Sequence, residues 1–170
     1  MAVTEQKPIM TGGCQCGTVR YALMSEPTHA SICHCRMCQK AFGNYFAPLT
    51  GVPRKDLVWT KGQPGIFRSS EAVERGFCRD CGTPLFYDMP HASFLNIALG
   101  SLDDPDDVQP VYQSGVESRM FWFSHLPQLP ETETDDGSEA AAERHLIVLE
   151  SNRQHPDYDT VHWPPEEDLS

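Results

Sequence analysis

Short apolar–polar alternations, interrupted by glycine, proline and asparagine, run through most of this chain. Residues 18–23 (Thr-Val-Arg-Tyr-Ala-Leu) have strand composition and alternation, and Glu26-Pro27 ends them. Further strand signals fall at 29–33, 45–50, 57–61, 66–69, 73–78, 85–88 and 94–99. Pro48 makes 45–50 an edge or the end of a strand, because proline has no amide to give to a ladder. Residues 36–42 fit one or two helical turns, stopped by Gly43-Asn44. The acidic turn 100–105 cannot continue a strand. Residues 111–112 and 119–123 are the last apolar pieces before an acidic, proline-bearing exit linker at 127–137. About ten short strand signals at close spacing, with little helix, predict a mainly β domain.

The two ends read differently. Residues 1–11 look like a loose leader, and 12–17 like a glycine-framed turn. Residues 138–150 predict a helix capped by Asp136 or Ser138, with a strand at 146–149 as the alternative. The last stretch, with Pro156, Pro164 and Pro165, reads as extended or disordered. The organisation expected is one domain over residues 11–127 and an acidic C-terminal extension over 128–170, partly disordered or docking on the domain. No internal repeat emerges.

Charge sharpens this division. The chain of 170 residues carries a formal net charge of -11. Residues 131–170 hold 12 acids against 2 bases, whereas residues 11–100 hold 6 acids against 9 bases. The acidity belongs to the tail. A sequence pI near 4.9 argues against nucleic acid as a partner, and the mildly basic body suits a small anionic ligand better than a phosphate backbone. No apolar run approaches the roughly 20 residues of a membrane span. Residues 1–11 have no apolar h-region, so the expectation is a cytoplasmic chain without a signal peptide. There, clustered thiols stay reduced and act more often as metal ligands than as disulfides.

Seven cysteines carry the chemistry. Cys78-x-x-Cys81-Gly82 has the form of a zinc knuckle and needs two more ligands. Cys14 and Cys16, two apart in an extended turn, face the same way and supply them. That leaves Cys33, Cys35 and Cys38 with no cysteine to close the set. Three protein ligands and one exchangeable position are the pattern of a catalytic zinc. His34 lies between two of these ligands and points away from them in an extended segment. The bland alternatives are one structural zinc with three spare buried thiols, a Cys33–Cys38 disulfide, or closure of the trio by His29, His91 or His125.

At these residues the sequence resembles a known family. The series Gly13-Cys14-x-Cys16-Gly17-x-Val19-Arg20-Tyr21, Cys33-His34-Cys35-x-x-Cys38, Phe77-Cys78-x-x-Cys81-Gly82-Thr83 and Gly100-Ser101-Leu102-Asp103-Asp104-Pro105 is similar to that of the glutathione-dependent formaldehyde-activating enzymes, whose domain centromere protein V shares. Glu117-Ser118-Arg119 with Trp122-Phe123 resembles the family's closing segment. The resemblance implies an Mss4-like fold of stacked antiparallel β-sheets around two zinc ions. It implies that Cys14, Cys16, Cys78 and Cys81 hold a structural zinc, and Cys33, Cys35 and Cys38 a catalytic one. The implied activity is addition of glutathione, or another small thiol, to formaldehyde or a related small aldehyde, giving S-(hydroxymethyl)glutathione, a carbon–sulfur lyase reaction in reverse. The alternative is a zinc-stabilised binding module without catalysis. Arg36, Lys40, Arg75 and Arg79 flank the thiols and are candidates to receive a substrate carboxylate. Asp88 and Tyr45 are candidate bases by sequence neighbourhood alone. Removal of residues 131–170 is expected to leave fold and metal in place, with 146–149 the segment able to dock.

Overall fold

The structure, a computed structural model, describes residues 7–134 and 137–164. Ten strands form two sheets among these residues. The smaller sheet joins β1 (Met10–Gly13), β2 (Arg20–Leu23) and β5 (Leu57–Lys61). The larger runs β10-β3-β4-β9-β8-β7-β6, from β3 (Thr28–Cys33), β4 (Ala47–Pro53), β6 (Gly65–Arg68), β7 (Glu74–Phe77), β8 (Pro84–Asp88), β9 (Phe94–Ala98) and β10 (Tyr112–Ser114). All pairings are antiparallel except the edge pair, where β10 runs parallel to β3 and sets Ser114 against Cys33.

The main core lies between the sheets. Tyr21 and Leu23 of β2 meet Leu85, Phe86, Leu95 and Ile97 of the larger sheet. Trp59 joins the two layers, edge-on to Tyr21 at 5.7 Å and 6.0 Å from Phe86. The buried Tyr21 hydroxyl donates to Ser101, whose own hydroxyl donates to the Ala98 carbonyl, so this polar chain is satisfied inside the core. Strand alternation gives β4 two roles: Val52 faces this core, while Ala47 and Leu49 face a second cluster with Cys38, Phe42 and Tyr87. Helix α1 (Arg36–Phe42) covers that second face.

Two segments depart from the sequence reading. The sequence pattern assigns residues 10–13 to a leader and a turn, yet they form β1 against β2. Gly12 lies there because the Tyr21 phenol and the Ser101 carbonyl crowd it, leaving no room for a Cβ. The second is the tail. Helix α2 (Glu139–Glu150) forms with Ser138 as its N-cap, whose hydroxyl accepts from the Ala141 amide; the other proposed cap, Asp136, lies outside the described residues. The side chains of 146–149 are exposed, from 54% to 63%, and dock nowhere on the domain. Docking falls instead to residues 155–163. The His155 amide donates to the Gln15 carbonyl at 2.7 Å, and the Trp163 indole to the Cys16 carbonyl at 3.0 Å. Asp159 joins the ion pair of Arg20 and Asp103. Residues 165–170, Pro165 among them, lie outside the described residues.

Candidate metal centres

The turn after β1 and the turn between β7 and β8 bring four sulfurs together. The Cys14 carbonyl closes its turn by accepting from the Gly17 amide, and the Cys14 amide donates to the Val19 carbonyl. Across from it, the Cys78 amide donates to the Thr83 carbonyl and the Gly82 amide to the Cys78 carbonyl. The Gln15 amide donates to the Thr83 hydroxyl at 3.0 Å and pins one turn to the other. The sulfurs of Cys14, Cys16, Cys78 and Cys81 all lie within 4.8 Å of one another. Two measured edges are 3.6 Å (Cys14–Cys16) and 3.7 Å (Cys16–Cys78). A tetrahedral ion with metal–sulfur bonds of about 2.3 Å needs edges of about 3.8 Å. All seven cysteines are free thiols, so the set fits a four-thiolate metal and no disulfide competes.

The second set is local. Cys33 ends β3, Cys35 caps α1, and Cys38 lies in the first helical turn. The Cys38 amide donates to the Cys35 sulfur at 3.4 Å. These three sulfurs also converge within 4.8 Å, and among the described residues no histidine or carboxylate joins them. His29, His91 and His125 are exposed elsewhere. His34 is fully buried and turned away: its Nε2 meets the Gln113 side chain at 2.8 Å and its ring packs edge-on to Phe123 at 4.7 Å. The trio therefore offers three sulfurs and no fourth side chain.

Electrostatics divide each set. Burial pushes the Cys14 thiol up to about 12. Cys81 goes the other way: burial resists ionisation, but the Thr83 hydroxyl and amide and the Cys16 amide hold the thiol down at about 6. In the trio, burial pushes Cys38 up to about 12 against the pull of the Arg75 guanidinium, 3.6 Å from its sulfur. Cys33, although buried in part, is held below the ordinary cysteine range by the Cys35 amide and the Ser114 hydroxyl. One shared cation is what ionises every member of such a set together.

The closing segment locks the trio in place. Gln39, 2% exposed, donates to the His34 carbonyl at 2.7 Å and to the Ser118 carbonyl at 2.9 Å. The His34 amide donates to the Ser114 carbonyl. Gly115 sits at φ +61° with Cys35 directly above it; a Cβ there would lie 2.7 Å from the Cys35 amide nitrogen. Gly115→Ala is expected to cost roughly 1–3 kcal/mol through strain and contact. Thermal melts read that loss, and metal should leave the trio faster than the four-cysteine set.

Of the flanking residues singled out from the sequence, Arg75 reaches the trio, and Arg36 and Lys40 line the groove beside it. Arg79 lies on the surface of the other knuckle. Asp88 is not free to act as a base: it is 5% exposed and accepts from Arg54 at 2.6 and 3.0 Å. Tyr45 sits in an aromatic cluster with Phe46, Trp122 and Phe123. Sequence reasoning missed Ser114, Gln39, Gly115 and Tyr87. Tyr87 lies under the Arg75 guanidinium at 5.1 Å and is its direct cross-strand partner. Register is the only signal that pairs them, and register is not visible in one sequence.

Comparison with known proteins agrees with this geometry. The glutathione-dependent formaldehyde-activating enzyme family matches residues 9–118. An uncharacterised lyase of Schizosaccharomyces pombe is 30% identical over 80 residues, 47% of this chain and 58% of that one. A putative glutathione-dependent formaldehyde-activating enzyme of Pyrenophora teres f. teres is 33% identical over 92 residues, 49% of this chain and 48% of that one. The chain thus spans about half the length of the curated relatives it matches. In fold it is similar to a crystal structure of a Rhodobacter sphaeroides protein, with a TM-score of 0.50 at 22% identity, covering 62% of this chain and 100% of that one. With the matched segment spanning both cysteine sets and both sheets, the chain belongs to the glutathione-dependent formaldehyde-activating enzyme family.

Proposed function

We propose that this chain is a zinc-dependent carbon–sulfur lyase of the S-(hydroxymethyl)glutathione synthase type, acting in the cytoplasm on glutathione and formaldehyde. The observation that carries the reading is the trio of converging sulfurs with no fourth side chain. Cys14, Cys16, Cys78 and Cys81 would hold a structural zinc, and Cys33, Cys35 and Cys38 a second, catalytic one. When bound at the trio, the ion supplies positive charge that favours the thiolate form of an incoming thiol. The reaction needs no oxidant: sulfur bonds to the carbonyl carbon, and the thiol proton ends on the former carbonyl oxygen.

The chain's own residues set the electrostatics. Three thiolates around one divalent ion leave a net negative centre, which resists a further anionic sulfur. Arg75 is 6% exposed and donates toward the Cys38 sulfur, so its charge offsets that excess. The Ser114 hydroxyl and the Cys35 amide do the same for Cys33. His34, Gln39 and Gly115 hold the loop rigid, so that the three sulfurs do not spread when a ligand departs.

Exchange spectroscopy of glutathione with formaldehyde, with and without the protein, tests the proposal. Faster exchange between free and hydroxymethylated glutathione is expected from the zinc-loaded chain. No acceleration at any loading would leave a zinc-stabilised binding module. Elemental analysis is expected to give about two zinc ions per chain, with mild chelation emptying the open trio first. One zinc and three freely titrating thiols would overturn the two-metal assignment.

A further inference from the structure

A groove of about 440 Å³ lies beside the trio, between α1 and the β6–β7 hairpin. Its rim carries Arg36, Lys40 and Arg75, and its walls are Met37, Ala41 and Phe67. In a chain of net charge -11, three cations around one cavity need a counter-charge. Among the described residues none of the three is ion-paired; the ion pairs there are Arg20 with Asp103 and Asp159, and Arg54 with Asp88. Arg36 donates only to the Gln39 side chain. Arg75 is more than nine-tenths buried, and its Nη1 has no hydrogen-bond partner at all. A buried guanidinium nitrogen left without an acceptor costs on the order of 1–3 kcal/mol unless a ligand or water meets it. The walls carry the opposite signal: Phe67 is 60% and Met37 48% exposed, an apolar surface with nothing packed on it.

We propose that this groove is a carboxylate subsite, in which Lys40, Arg36 and Arg75 receive the carboxylate of the substrate thiol while Phe67 and Met37 hold its chain. The proposal rests on the trio being the reaction centre. Arg75 belongs to both places, since its Nη2 donates to the Cys38 sulfur at 3.6 Å while its side chain lines the groove. A thiol whose carboxylate lies a few bonds from its sulfur spans that distance; a simple alkane thiol leaves the cations unanswered. The subsite therefore selects thiols that carry a carboxylate and sets their orientation.

S-Methylglutathione, whose sulfur is blocked, probes the groove without the reaction. Its affinity for the zinc-loaded chain is measured by titration calorimetry, beside that of its dimethyl ester and of the Lys40→Glu variant. Lys40 is exposed, so the variant is expected to melt with the parent chain and keep its zinc. Esterification and Lys40→Glu should each weaken binding about tenfold, as expected for one lost charge-assisted contact. The two effects should not add, because each removes the same contact. Equal affinity of acid and ester for the parent chain, or a Lys40→Glu effect that persists in full on the ester, would overturn the subsite. Carboxylate-dependent binding without any formaldehyde exchange would uphold the subsite and instead sink the proposed reaction.

Discussion

Cys81→Ser is expected to leave the chain unfolded, whereas Cys35→Ser is expected to leave it folded and inactive. The two substitutions each remove one sulfur from a cluster, but the clusters do different mechanical jobs. Cys16 and Cys78 are 62 residues apart and their sulfurs lie 3.7 Å from each other. A metal there ties the smaller sheet to the β7–β8 turn. Structural zinc contributes roughly 10–16 kcal/mol of apparent binding energy to such folds, against a total stability of about 5–15 kcal/mol. Opening that set removes a large share of the stability. The trio closes only a short local turn, where little chain entropy is at stake. Cys35 is also the N-cap of α1, accepting from the Cys38 amide, and serine is among the best N-cap residues. Circular dichroism and thermal melts should show a lost transition for Cys81→Ser and a small shift for Cys35→Ser, with metal content reduced by one ion in the latter. Equal destabilisation by both would make the trio structural.

Cutting the chain after residue 151 is expected to lower stability by about 2–4 kcal/mol, which for a chain of this size is roughly 5–15 °C in melting temperature. The cut removes two hydrogen bonds to the Cys14–Cys16 turn, the Asp159 arm of the Arg20 pair, and the cover over Gly17. A truncation after residue 130 should cost no more, because the α2 side chains at 146–149 touch nothing. Chelators should also strip the four-cysteine set faster once its turn is uncovered. Mild acid should mimic the cut. Burial lowers the His155 imidazole below its ordinary value, with the Arg20 and Lys61 charges adding to the shift. Its Nδ1 faces the Pro156 carbonyl and its Nε2 the Thr160 hydroxyl, an arrangement of the neutral ring. A folded value below the unfolded one means that this contribution is complete above about pH 6.5 and is lost as the pH falls through the depressed value. An unchanged melt and an unchanged chelation rate after truncation at 151 would show that the tail merely rests on the domain.

Much of this was legible from residue spacing. The division of seven thiols into four and three comes from counting ligands, and the structure assembles the same two groups. Most strands sit within a residue or two of their alternation signals, because each half-buried strand must present one apolar face. What escaped depends on partners far along the chain. Residues 10–13 carry two glycines and look like a turn; they become a strand only because Tyr21 lies over them. Residues 112–114 have no apolar alternation, and their backbone pairs with β3 to place Ser114 beside Cys33. The tail misled in the opposite sense. Its apolar residues at 146–149 stay exposed, while a proline-rich stretch docks through one backbone amide, one indole and one carboxylate. Hydrophobic pattern has no means of finding such contacts.

The order of these segments along the chain has a consequence for synthesis. Each thiol group is finished long before the segment that shields it: Cys38 precedes Gly115, and Cys81 precedes Trp163. A ribosome adding about 5–20 residues per second leaves each set without its cover for about 4–15 s. During that interval the nascent chain offers reduced sulfurs to any oxidant or competing ion nearby. Metal supplied at that stage would protect the newborn protein before its walls exist, so zinc availability during translation, rather than affinity of the finished fold, sets how many copies mature correctly.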